Sequence, residues 1–146
     1  MRVHDSEQVA ERLHLIALHV MRGLRREDDA LGVGPARLSA LSVLLSGPKT
    51  ITELAAAEQV RLPTITRVVA GLERLGLARR TPHPRDGRSV QIEMTDEGAA
   101  MIARGRRARV RRLRRALDQL DVTDLDGVVE ALDALERVSA KVLRDG

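Results

Sequence analysis

The apolar positions at the start of the chain follow the period of an α-helix. They are Val9, Leu13, Ile16, Val20 and Leu24. Asp5 or Ser6 precedes this repeat, and either residue is typical of a helix N-cap. After a loop of charged residues and glycines, a second helix is predicted from about Pro35 to Gly47, where a proline follows.

Two short helices separated by a tight turn come next. Thr50 and Glu53 have the spacing of a capping box, which predicts a third helix from Ile51 to about Glu58. A fourth helix is predicted from about Leu62 to Leu75. This arrangement is typical of a helix-turn-helix, whose second helix enters the major groove of DNA. An ordinary pair of surface helices would give the same pattern, so this segment alone does not distinguish a DNA-binding helix-turn-helix from such a pair.

The fourth helix begins with the stretch RLPTITRVV, whose residues are mostly weak helix formers. Pro63 suits a first helical turn because its missing N–H would have no partner there. Thr64 and Thr66 offer hydroxyls to phosphates or base edges, and methyl groups to thymine. Arg61 and Arg67 can reach phosphate or guanine. The stretch therefore predicts a surface that faces DNA.

The period then changes from helical to alternating. LARRT and SVQIEM are typical of two short strands, and TPHPRDGR between them is rich in turn residues. This hairpin carries Arg79, Arg80, His83, Arg85 and Arg88. Such a basic wing can lie along the DNA backbone or enter the minor groove. A helix-turn-helix followed by a wing indicates a DNA-binding domain more specifically than either part alone.

Two longer helices complete the pattern. Thr95 is a candidate N-cap for the fifth, and Thr123 with Asp126 has capping-box spacing before the sixth. The apolar stripes of the first and sixth helices together have more apolar surface than a small winged domain can bury. We therefore expect these helices to pack against another surface.

Composition narrows the class of partner. The 146-residue chain has a net charge of +4. Its only lysines are Lys49 and Lys141, and every other basic side chain of this pair of types is arginine, which favours binding to a polyanion. It has no aromatic residue, which argues against modules that stack single-stranded bases and leaves duplex DNA open. Without an apolar leader or a membrane-spanning run, the chain is expected to be soluble, cytoplasmic and not bound to a membrane.

The sequence offers little for catalysis. It has no cysteine, no phosphate-binding glycine loop, and no nucleophile–base or metal-ligand spacing among its four histidines. An enzyme, a cofactor and a metal site are therefore not expected.

The segment from ITELA to MTDEG resembles the MarR family of bacterial winged-helix regulators. The matching pieces are ELA, PTITRVV, LERLGL, the wing sequence DGR and MTDEG, and the match covers about Leu38 to Gly98. The resemblance implies a mainly α fold with a small β-hairpin wing. Residues 34–98 would form the winged helix-turn-helix DNA-binding domain, and residues 1–33 and 99–146 a helical dimerisation region.

The resemblance also implies roles for individual residues. Asp86 would brace the wing arginine Arg88, which would enter the minor groove, and Arg85 would replace a second arginine whose place Gly87 takes. Arg61 stands where the family often has a capping serine. The full set of predicted DNA-binding residues is Arg61, Leu62, Pro63, Thr64, Thr66, Arg67, Arg79, Arg85, Asp86 and Arg88.

The family pattern further implies a homodimer on an inverted-repeat operator, because two recognition helices would lie about one DNA turn apart. The predicted dimer-interface residues are Val9, Leu13, Leu117, Leu125, Val128, Leu132, Leu135 and Val138. The expected function is repression of transcription, relieved by a small anionic or phenolic effector. Candidate pocket residues are His14, Leu18, Met21 and Arg22, for each of which core packing is the simpler role.

The stretch Arg104 to Arg115 holds eight arginines in twelve residues. A salt-bridged helix face is the simplest interpretation, and contact with the DNA backbone or a cationic rim for an effector are alternatives. The charge also leaves open a nonspecific, arginine-rich architectural DNA-binding protein. That alternative does not explain the threonines of the fourth helix.

Overall fold

The computed structural model describes residues 5–144, so the ends of the predicted dimerisation region, residues 1–4 and 145–146, lie outside it. The helices are α1 (Ser6–Asp29), α2 (Pro35–Val43), α3 (Ile51–Ala57), α4 (Leu62–Arg74), α5 (Asp96–Leu117) and α6 (Val122–Arg144). The strands are β1 (Lys49–Thr50), β2 (Ala78–Pro82) and β3 (Val90–Met94), and a short 3₁₀ turn, Leu44–Ser46, follows α2. The predicted order of four helices, a hairpin and two helices is confirmed, as is the mainly α fold with a small wing.

The sheet has one strand more than the predicted hairpin. β2 and β3 pair antiparallel from Ala78 opposite Met94 to Pro82 opposite Val90. β1 adds to the other side of β3, with Lys49 opposite Ile92, which gives the order β1-β3-β2. The strand directly before α3 thus ties the helix-turn-helix to the wing.

The hydrophobic core lies in the winged helix-turn-helix. All buried hydrophobic side chains of the described chain fall between Val33 and Ile92. In α4 the buried residues include Ile65, Val69 and Leu72, which form the inner face of this helix. Neither α1 nor α6 contributes a buried residue. The core therefore fixes α4 without help from the long terminal helices.

Most of the predicted helix caps are present. The Glu7 N–H donates to Asp5 Oδ1, and Thr50 and Glu53 form the expected reciprocal capping box. The hydrogen bond from the Thr50 backbone N–H lowers the pKa of Glu53, which favours the ionised carboxylate in the capping box. Thr95 caps α5, because its Oγ1 accepts from the Gly98 N–H at 3.1 Å.

The predicted capping box at Thr123 and Asp126 is wrong. α6 begins at Val122, so Thr123 already lies in its first turn. The cap is Asp121, whose Oδ1 accepts from the Asp124 N–H at 2.8 Å.

The described residues group into two compact units, one through Arg109 and one from Val110 on, with the division inside α5. The first holds α1, the winged helix-turn-helix and the start of α5. The second holds the end of α5 and α6. None of the helices within residues 5–144 is both long and apolar enough to span a membrane.

α3 and α4 end in the same hydrogen-bonding pattern but with different residues. After α3, Val60 N–H donates to Ala55 and Gln59 N–H to Ala56; after α4, Leu77 and Gly76 donate in the same way. The pivotal residue is left-handed in both turns, with φ 54° at Gln59 and φ 70° at Gly76. This pattern usually uses glycine, because a Cβ disfavours the left-handed conformation. The turn of the helix-turn-helix therefore contains a strained residue.

Replacing Gln59 with glycine is expected to raise the free energy of unfolding by about 0.5–1 kcal/mol, since relief of the left-handed strain exceeds the entropic cost of glycine. The matched change Gly76→Ala should lower it by about 1 kcal/mol because it introduces the same strain. Urea denaturation followed by circular dichroism measures both. Shifts of the same sign would show that the left-handed conformation does not control stability at these turns.

Candidate nucleic-acid interface

The N-terminal end of α4 is capped by backbone hydrogen bonds alone. Arg61 is the N-cap, and its side chain makes no capping hydrogen bond. Its carbonyl oxygen accepts from the N–H groups of Thr64 and Ile65 at 3.0 and 3.2 Å. Pro63, the second helical residue, has no N–H to satisfy. The Arg61 side chain therefore takes no part in capping the helix.

The outer face of α4 carries the predicted contact residues. Arg61, Leu62, Pro63, Thr64, Thr66 and Arg67 are all exposed. The intervening Ile65 is buried and anchors this turn to the core. Arg61 and Arg67 form no ion pair with any residue of the described chain. The helix therefore presents two available cations and two threonines, Thr64 and Thr66, on a rigidly positioned face.

The tip of the wing is organised by Asp86. One carboxylate oxygen accepts from the Arg88 N–H at 3.0 Å and the other from the Ser89 hydroxyl at 2.9 Å. These bonds, the first of them most strongly, lower the pKa of Asp86. The Arg85 N–H donates to His83 Nδ1 across the same loop. Asp86 therefore braces the backbone that carries Arg88 and leaves the guanidinium exposed.

The cations of the hairpin divide into two groups. Arg79 pairs with Glu93 on the opposite strand at 3.0 Å, and Arg80 pairs with Glu73 of α4 at 3.0 Å. Arg85 and Arg88 are exposed and have no ion-pair partner between residues 5 and 144. Neither pairing was predicted from the sequence. The Arg79–Glu93 pair follows from the hairpin register, in which these two residues lie directly opposite each other.

A cavity of about 680 Å³ lies in the first unit. Met21 is the one predicted pocket residue that lines it; His14, Leu18 and Arg22 do not. The cavity begins at Met21 and follows α1 towards its C-terminal end, whereas His14 and Leu18 lie about two turns and one turn earlier and are exposed. The lining residues are Met21, Leu24, Arg25, Asp28, Asp29, Leu31, Pro35, Leu38, Ser39, Ser42, Ile102, Gly105 and Arg109.

Part of the arginine-rich stretch of α5 is paired with acids. Arg109 forms an ion pair with Asp28 of α1 at the cavity wall. Arg104 pairs with Glu97 at 3.5 Å, and Arg114 with Asp118 at 3.7 Å. These pairs support the interpretation of a salt-bridged helix face. Within the part of the chain that is described, the arginines without an ion pair are Arg106, Arg107, Arg111 and Arg115.

The predicted dimer residues lie on the surface of the single chain. Leu13 is half-buried, and the others are exposed. In α6, Leu132 keeps 47% and Leu135 39% of its surface accessible. The exposed members are Val9, Leu117, Leu125, Val128, Leu132, Leu135 and Val138. Exposed apolar side chains repeated along one helix, as on α6, are typical of a protein interface. Among the described residues, no group of three or more acids and histidines is placed to hold a metal ion.

These features define a winged helix-turn-helix DNA-binding protein. Residues 31–89 match the sequence model of the MarR family. The chain is 39% identical over 107 residues to an HTH-type transcriptional regulator of Mycobacterium bovis. The aligned residues cover 72% of this chain and 75% of that relative. The chain belongs to the MarR family of helix-turn-helix transcription regulators, a family of DNA-binding proteins and not of enzymes.

Solved structures share the fold. A transcriptional regulator from Thermotoga maritima matches with a TM-score of 0.82 and 24% identity, covering 94% of this chain and 98% of its own. A mutant of S. aureus MepR bound to an oligodeoxyribonucleotide matches with a TM-score of 0.71 and 17% identity, covering 89% and 96%. The fold thus occurs in a protein that has been captured on DNA.

Proposed function

We propose that this regulator is a homodimer that binds an inverted-repeat operator in the cytoplasm, represses transcription, and is released by a small effector. The observation that carries the proposal is the outer face of α4, where Thr64, Thr66, Arg61 and Arg67 stand exposed above the buried Ile65. Threonine and arginine are side chains that read base edges in the major groove.

The wing supplies the second contact in this proposal. Arg88 projects from a loop that Asp86 holds in place, so the side chain, and not the loop, would have to be ordered when its guanidinium enters a minor groove. Arg85 lies on the same loop and is available for the phosphate backbone. We place the DNA-binding domain at residues 34–98, in line with the core between Val33 and Ile92.

The proposed dimer rests on the exposed apolar faces of the terminal helices. α1 and α6 bury no residue within one chain. A second copy would cover such faces, and two-fold symmetry would present two α4 helices to successive major grooves. An operator of two inverted half-sites follows from that symmetry.

The effector part of the proposal rests on the cavity beside α1. About half of its lining residues are apolar, and Arg25 provides a cation that is not engaged in an ion pair within residues 5–144, while Asp29 adds a carboxylate. A small anion with an apolar body suits these groups. The cavity wall includes Ser39 of α2, which packs close to the helix-turn-helix.

The deciding experiment compares affinities for duplexes by fluorescence anisotropy at a fixed salt concentration. We expect the protein to bind the region upstream of its own gene at least about a thousandfold more tightly than a scrambled duplex. Equal affinity for both duplexes would instead favour the nonspecific architectural protein that the arginine content allows.

Replacing Arg88 with alanine is expected to weaken binding to every duplex about tenfold, because one charge-assisted contact is lost. It should also lower the slope of log affinity against log salt by about one. Arg67→Ala should instead reduce the preference for the operator over a scrambled duplex.

Arg80→Ala is the matched control for Arg88→Ala. Arg80 lies on the same hairpin but is tied to Glu73, so the salt slope should stay at the wild-type value. An unchanged slope in Arg88→Ala, or equal losses in both variants, would contradict a specific role for the wing tip.

A further inference from the structure

Apolar side chains are exposed at the N-terminal end of α4, the end proposed to enter the major groove. Leu62 keeps 49% of its surface accessible, and Val60 in the preceding turn keeps 38%. The core is closed at this point by Ile65, which is buried three residues further on. Leu62 therefore adds nothing to the core of the single chain and is available for contact with a partner.

Leu62 and Thr66 lie four residues apart in α4, so their side chains are neighbours on the surface of the helix. Both residues are exposed. The threonine side chain carries a methyl group beside its hydroxyl, and the leucine side chain ends in two methyl groups. Together they give the outer face of α4 an apolar area, and Pro63 and Arg67 form the adjacent row with the same spacing.

The side chains that α4 lacks narrow what this face can recognise. In the major groove, adenine is read by paired hydrogen bonds from asparagine or glutamine, and cytosine by a carboxylate. α4 contains no asparagine, glutamine or aspartate, and its one glutamate, Glu73, is paired with Arg80 at 3.0 Å. The nearest amide side chain, Gln59, belongs to the turn before the helix. Apolar side chains recognise instead the 5-methyl group of thymine.

The charges beside Leu62 and Thr66 favour duplex DNA as the partner of this apolar area. Arg61 and Arg67 are exposed and form no ion pair within residues 5–144. Arginine binds phosphate oxygens and the O6 and N7 atoms of guanine. An apolar area next to unpaired arginines is complementary to a groove that has methyl groups on its floor and phosphates along its edges.

Building on the proposed function, we propose that Leu62 and the Thr66 methyl group determine specificity by packing on the 5-methyl groups of thymines in each operator half-site. The thymine methyl group projects into the major groove and takes no part in base pairing. Uracil lacks this group and forms the same base pair with adenine. The contact can therefore be removed from the DNA while the protein and the paired bases stay the same.

The first test replaces thymine with uracil throughout the duplex from upstream of the gene. Fluorescence anisotropy at fixed salt measures the affinity of the full chain for both duplexes. Burial of one methyl group contributes about fourfold to an affinity. With one such contact in each half-site of a dimer, we expect wild type to bind the uracil duplex about fifteenfold more weakly. Equal affinity for the two duplexes would overturn the inference.

Two variants assign the loss to the named side chains. Thr66→Ser removes the methyl group and keeps the hydroxyl, and Leu62→Ala shortens the leucine. Each should discriminate less than wild type between the thymine and uracil duplexes. Leu75→Ala is the matched control, because Leu75 is 48% exposed at the C-cap of the same helix, and it should keep the wild-type ratio. A wild-type ratio in both test variants would mean that uracil acts through the shape of the DNA, and the proposal would fail.

A further test restores the methyl group on a different base. Single thymine-to-uracil changes locate the sensitive positions in the duplex. At such a position, a 5-methylcytosine–guanine pair should bind about fourfold more tightly than a cytosine–guanine pair, because the two differ only in the methyl group. The same affinity for both pairs would contradict recognition of the methyl group.

These outcomes are distinct from those of the proposed function. If wild type does not prefer the upstream duplex over a scrambled one, the proposed function is wrong. If it keeps that preference and binds the uracil form of the upstream duplex equally well, only the present inference is overturned.

Discussion

Leu132→Asp combined with Leu135→Asp is expected to make the protein monomeric and to lower its affinity for an inverted repeat by about 10² to 10⁴, since a monomer engages one half-site. Both leucines are largely exposed on α6, and two buried charges would oppose apolar packing between copies. Sedimentation velocity gives the oligomeric state, and anisotropy gives the affinity.

The effect should be specific to the apolar face. Glu130→Ala with Arg137→Ala alters the opposite side of α6 at unchanged net charge, and this variant should remain dimeric. The winged domain of the aspartate variant should stay folded, because its core draws on no residue of α6. An aspartate variant that is still dimeric would exclude this face as the interface, and a monomer with wild-type affinity would exclude two-site binding.

Gly98→Ala is expected to lower the free energy of unfolding by about 3 kcal/mol, at the upper end of the cost of overpacking. A Cβ there would overlap the carbonyl oxygen of Leu77 and lie 2.8 Å from Met94 Cγ. That carbonyl cannot easily move, because it accepts the Thr95 N–H at 3.1 Å.

Gly127→Ala provides the comparison for Gly98→Ala. A Cβ at Gly127, in α6, would have no atom within 4 Å apart from the adjoining residues and the nearby backbone of its own helix. Alanine should therefore raise stability there by about 0.5–1 kcal/mol through its better helix propensity. Thermal denaturation of both variants tests the pair, and a similar loss at both sites would contradict the close packing at Gly98.

The sequence predicts the helices and most caps because their signals are local. The capping box of Thr50 and Glu53 lies within four residues, and the apolar spacing of α4 identifies Ile65 and Leu72 as its buried face. The candidate face of α4 follows from the same spacing, since the residues between the buried ones must point outward.

Other features depend on partners far along the chain. β1 has two residues, too few to show alternation, and exists because Lys49 and Thr50 pair with β3. The pocket was predicted at His14, Leu18, Met21 and Arg22, of which Met21 alone lines the cavity. The position of the cavity depends on where α2 meets α1, which no local pattern encodes. The hydrogen bond from Ser39 to Glu58 and the left-handed Gln59 likewise arise from tertiary packing.

The two ends of α4 are restrained very unequally, and this determines how the helix can move. Its C-terminal end is tied by the Arg80–Glu73 pair. Two residues beyond the helix, the Thr95 hydroxyl donates to the Gly76 carbonyl at 2.6 Å. Its N-terminal end has no side-chain cap. A helix of 13 residues is about 20 Å long. The first turn is held instead by the burial of Ile65, so a change that loosens the contacts of Ile65 would displace Arg61 and Thr64 while the C-terminal end stays tied.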